Sequence, residues 1–137
     1  MSRKRARAGI LYGCRGTAAW EVAIKAADLR MAENRYPGAS SRVLRGDEHG
    51  VDVIIGISSY PHGVGPPEHR HHCAEVFVVH EGRGVYTVDG VDAIAEPGDV
   101  VVLPANAWHY FRGDGEVPLR HVAVLDSAHP GLERKTT

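Results

Sequence analysis

Two cysteines in 137 residues, Cys14 and Cys73, are too few and too far apart for a disulfide framework. Their scarcity fits a reducing compartment, and a cytoplasmic protein is expected. Long apolar runs are also missing. The longest, Ile54-Ile55-Gly56-Ile57 and Val100 to Leu103, are strand-sized, far short of the roughly 20 residues of a membrane helix. No charge of one sign dominates, because sixteen Lys and Arg face seventeen Asp and Glu for a net of −1. That balance recommends neither nucleic acid nor a membrane as partner. Repeats and low-complexity segments are absent. What remains is a 43% hydrophobic, 24% charged chain, the composition and length of a single globular domain able to bury a core without covalent staples.

Charge is unevenly divided along that chain. Residues 1–30 carry net +5 and residues 31–137 net −6, so a boundary is expected close to residue 31. The first twenty residues hold five basic and no acidic side chains, which reads as a solvated tail, with an organelle transit peptide as the alternative. Met31 stands at the boundary and offers an alternative translation start. Within the leader, residues 17–33 are expected to form a helix. Thr17 can cap it, and Trp20, Ile24, Ala27 and Met31 fall on one stripe before Tyr36-Pro37-Gly38 ends it. Residues 1–39 are therefore assigned to a helical extension and residues 40–137 to the main domain.

From residue 40 the pattern changes to short strands and turns. Strands are expected at 42–45, 51–59, 75–80, 84–88, 91–95, 99–103, 109–111 and 119–125, many rich in β-branched residues. Asp89-Gly90 between two such runs is a two-residue hairpin signal. Pro66-Pro67, Pro97-Gly98 and Pro104 break the others. Short strands at regular spacing with no intervening helices indicate an all-β sandwich or barrel.

The chemistry concentrates in Gly63-Val-Gly-Pro-Pro-Glu-His69-Arg-His71-His72-Cys73-Ala-Glu75. Alternate side chains of an extended chain share a face. His69, His71 and Glu75 have the same parity, so an extended segment presents two imidazoles and a carboxylate together. Such a set can bind a metal and leave positions open. The same residues would also make a solvent-facing polar cluster, and parity alone does not choose. His72 has the opposite parity.

The wider spacing carries a resemblance. Gly63 is followed by five residues, His69-x-His71, three residues, Glu75, six residues and Gly82. Fifteen residues later come Gly98, five residues, Pro104, one residue, Asn106, two residues and His109. These runs resemble the first and second motifs of the cupin superfamily, in the right order and at a short separation. Two positions depart from that pattern: Asn106 replaces a glycine, and Gly113 stands where an asparagine would be. Neither is a ligand position in that family, and Asn tolerates the left-handed conformation well.

The resemblance implies a double-stranded β-helix, or jelly-roll barrel, with His69, His71, Glu75 and His109 as ligands of a divalent transition metal. Ligand type leaves Fe, Mn, Ni, Cu and Zn all open. It implies a metal-dependent oxidoreductase, dioxygenase-like, acting on a small organic molecule, with Glu75 able to leave the metal and act as base. The alternatives are a lyase, isomerase or cyclase using the metal as Lewis acid, or a non-catalytic binding protein. Substrate-pocket candidates are Cys73, Phe77 and Phe111 by parity, and Tyr60, His62 and Tyr86 as polar groups. Open sheet edges, the leader's apolar stripe and the habit of resembling proteins together suggest a homodimer with residues 1–40 partly at its interface.

Overall fold

Strands set in where β-branched residues and alternation replace the mixed leader. In the computed structural model, which describes residues 23–32 and 36–136, they are β1 (Arg30–Met31), β2 (Ser40–Arg45), β3 (Ile54–Tyr60), β4 (His69–Arg70), β5 (Glu75–Glu81), β6 (Gly84–Val88), β7 (Val91–Ala95), β8 (Val100–Leu103), β9 (His109–Gly113), β10 (Leu119–Leu125) and β11 (Glu133–Arg134). They form two antiparallel sheets, β1-β2-β3-β10-β5-β8 and β11-β4-β9-β6-β7. The Asp89-Gly90 signal is realised as a tight turn with φ of 47° and 81°, the left-handed pair that a primed hairpin turn requires. Among the described residues no helix is long and apolar enough to cross a membrane.

Alternation along the strands builds the core. On β5, Glu75, Phe77 and Val79 are buried while Val78 and His80 face outward; on β10, Leu119, His121, Ala123 and Leu125 are buried. Tyr86 and Phe111 of the second sheet meet them. The Phe77 ring lies 5.1 Å from Tyr86 and 5.2 Å from Phe111. Each fully buried aromatic or aliphatic side chain contributes about 1.5–3 kcal/mol by leaving water. His121 is the polar member of this aromatic set. Its Nδ1 shares a 2.7 Å hydrogen bond with the Tyr86 hydroxyl. Burial and then the proximity of His80 lower its pKa to about 3.

The expected helix over 17–33 is not supported. Among residues 23–32 the chain makes one 3-10 turn, Ala26–Asp28, and then β1. Residues 17–22 and 33 lie outside the described residues, Trp20 with them. The physical reason is a better home for the backbone: Arg30 and Met31 pair with Val43 and Arg42 on β2, and Arg42 Nη1 donates to the Ala26 carbonyl at 2.8 Å. Of the described stripe residues, Ala27 and Met31 are exposed and Ile24 only partly buried, so these three share no buried face. β1, β4 and β11 are two residues each, too short to show a period in the sequence.

Candidate metal centre

One end of the barrel collects the four motif residues. His69 opens β4 and lies opposite His109, which opens β9. Glu75 opens β5, on the other sheet, opposite Leu103 and Leu125. His71 sits in the link between β4 and β5. Shared parity grouped His69, His71 and Glu75, which the fold also brings together, but for a reason that the sequence did not disclose. The segment is not one strand with one face; it crosses from one sheet to the other and the site spans both.

One ligand atom from each of these residues lies within 4.8 Å of every other. His109 Nε2 is 3.1 Å and His71 Nε2 is 3.6 Å from Glu75 Oε2. Two donors at right angles about one ion, each roughly 2.1 Å from it, stand about 3 Å apart, so these separations suit a single cation. Glu75 and His109 are 6% and 3% exposed, while His69 and His71 are partly open to solvent.

The imidazole orientations make the stronger case. His69 Nδ1 lies 2.7 Å from the Pro67 carbonyl, His109 Nδ1 2.9 Å from the Ala107 carbonyl, and His71 Nδ1 against the Gly131 carbonyl. A carbonyl oxygen only accepts, so each Nδ1 carries a proton, and each ring in its neutral form turns an Nε2 lone pair toward the centre. At His109 that lone pair faces Glu75 Oε2, and neither atom has a hydrogen-bond partner. Two buried acceptors 3.1 Å apart repel unless a proton or a cation lies between them. Burial acts to lower the His109 pKa, but contact with Glu75 and the Ala107 carbonyl outweigh it, and the value is raised. His69 goes the other way: burial, with smaller help from His109 and His71, brings it to about 4. The residues fit a divalent metal on geometry, tautomer and unsatisfied atoms alike.

The two departures from the motif have local explanations. Asn106 has a φ of 66°, the conformation that a glycine would otherwise supply, and its N–H donates to the His71 carbonyl at 2.8 Å. Gly113 packs so closely that an added Cβ would come 2.4 Å from the Pro61 carbonyl oxygen, which excludes asparagine. Trp108 N–H donates to Asp89 Oδ1 at 3.0 Å, tying the approach to His109 onto the β6–β7 turn.

The pocket candidates divide. Tyr60, Phe77, Tyr86 and Phe111 are buried in the core, with Tyr60 edge-on to Phe111 at 4.8 Å. Cys73 is a partly buried free thiol whose pKa burial raises. His62 is exposed and bridges to Gly113. The three carbonyls that orient the imidazoles belong to Pro67, Ala107 and Gly131. Backbone acceptors have no signature in a sequence, and none of them was anticipated.

Residues 56–125 match the Cupin domain family. A gentisate 1,2-dioxygenase of a Ralstonia species is 33% identical over 92 residues, covering 61% of this chain but 26% of that protein. The chain thus spans about a quarter of that curated relative. A cupin-like protein of Thermotoga maritima is similar in structure with a TM-score of 0.67 and 24% identity, over 74% of this chain and 80% of that one. The polyketide cyclase RemF of Streptomyces resistomycificus aligns with a TM-score of 0.69 and 16% identity, over 84% and 85% of the two chains. Those two structural likenesses speak for the fold. With both motifs, two antiparallel sheets and a family match across half its length, this chain belongs to the cupin family.

Proposed function

We propose that this chain is a metal-dependent oxidoreductase of the dioxygenase kind, acting on a small organic molecule with adjacent oxygen donors. The observation that carries the reading is the mixed donor set of three Nε2 lone pairs and one carboxylate, all oriented before any ion arrives. When bound, a redox-active divalent ion would supply Lewis acidity and electrons for dioxygen. His69, His71, Glu75 and His109 would hold it, leaving room beside it for substrate. Four protein donors in an octahedral set leave two positions. Glu75 would accept a proton from a substrate hydroxyl at Oε2, the atom without a partner. Tyr60, Phe77, Tyr86 and Phe111 would close the barrel beneath the site and keep water out from below. The similarity to a gentisate 1,2-dioxygenase supports this reading.

Oxygen uptake tests it. Protein loaded anaerobically with Fe(II) is offered gentisate, catechols, diketones and thiols in an oxygen electrode. Stoichiometric uptake with at least one is the expected result. An iron-loaded protein that consumes no oxygen with any of them, while a zinc-loaded sample transforms a substrate, establishes the second reading instead. That reading, a Lewis-acid lyase, isomerase or cyclase, draws on the alignment with a polyketide cyclase of matching length.

A further inference from the structure

This inference rests on the metal centre proposed above. His69 and His109 each use a carbonyl two residues back, so their orientation comes with their own strands. His71 uses Gly131, sixty residues away. We propose that residues 127–135 are a strap that sets the tautomer and direction of His71, so that metal affinity is governed from the C-terminal segment. The strap is well anchored. Ala128 N–H donates to Asp52 Oδ1 at 2.7 Å, and His72 N–H to the Pro130 carbonyl at 3.1 Å. β11 pairs with β4, Arg70 meets Glu133 at 2.8 Å, and Lys135 N–H donates to the Glu68 carbonyl at 3.0 Å. β4 meets β9 through one register pair, His69 with His109, and β11 is its other neighbour in the sheet. Loss of the Gly131 carbonyl frees the His71 ring to carry its proton on Nε2, where it has no lone pair to offer.

Gly131→Val in the full chain is the probe. Gly131 has a φ of 65°, a conformation that a β-branched residue strains, so valine should pull the strap's backbone out of place, and its Cβ would also press on the His72 ring at 2.6 Å. Zinc affinity should fall by about 10–100-fold, the usual loss when a ligand's orienting partner is removed. Glu133→Pro, which removes a strand N–H from β11, should act in the same direction. In a His71→Ala background Gly131→Val should change zinc affinity less than about twofold, an independence that a general structural defect would not show. Ring nitrogen NMR should find His71 protonated on Nδ1 in the parent and shifted toward Nε2 in the variant. Parent-like affinity in both strap variants, or an Nε2-protonated His71 in the parent, overturns the inference. A parent that binds no metal defeats the metal reading instead, and the NMR result then decides the strap alone.

Discussion

His109→Ala and Glu75→Gln should each abolish metal binding at the barrel mouth while leaving the chain folded. The expected loss in affinity is at least about 100-fold, because even the outer partners of a metal ligand cost about 10–100-fold. In the metal-free state Glu75 Oε2 lies 3.1 Å from His109 Nε2 and raises the His109 pKa, so a proton shared by the two offsets their burial. Glu75→Gln weakens that interaction, and the metal-free variant should be no more stable than the parent. Zinc at 100 times its dissociation constant should stabilise the parent by about 2.7 kcal/mol and the variants not at all. Thermal melts with and without zinc check both parts. A variant that keeps the metal-induced shift removes its residue from the ligand set.

Acid should destabilise the barrel through His121, a residue on no metal ligand. His121 is 1% exposed, and its folded pKa is about 3 against the 6.5 of a free histidine. Between those values the unfolded chain binds a proton that the folded chain refuses. Stability is therefore complete above pH 6.5 and falls with acidification at about 1.4 kcal/mol per pH unit, or roughly 3 kcal/mol by pH 4. His69, also lowered, adds in the same direction, and His109, raised, opposes it. The comparison that isolates His121 is with His121→Gln, which retains a polar group opposite the Tyr86 hydroxyl. Denaturant unfolding at pH 7, 5.5 and 4 should show the gap between parent and variant changing by roughly 3 kcal/mol in favour of the variant. Parallel pH profiles would mean that His121 is already charged in the folded protein or already neutral in the unfolded one.

Much of this was legible in the residues. Seven of the eight expected strands lie within two residues of the observed ones at each end, because alternation and β-branching act locally; 51–59 begins three residues early. Motif spacing selected His69, His71, Glu75 and His109, which the fold gathers within 4.8 Å. The leader was misread for the opposite reason. Trp20, Ile24, Ala27 and Met31 satisfy a helical period, but period says nothing about what is available to cover the stripe. The edge of β2 offered Arg30 and Met31 ladder hydrogen bonds instead.

Residue type and spacing by themselves determined the chemistry on offer: three imidazoles, one carboxylate, and the turns that return them to one end of a barrel. Tertiary structure alone decided how those groups point. The carbonyls of Pro67, Ala107 and Gly131 choose which nitrogen of each ring is bare, and every residue type except proline presents the same carbonyl and N–H, so no sequence can announce which carbonyl will be near. The same holds for Val78, Val100 and Val102, left exposed on the outer face of the larger sheet. Alternation shows that a strand has two faces, and only the packing of the second sheet says which of them is left in water.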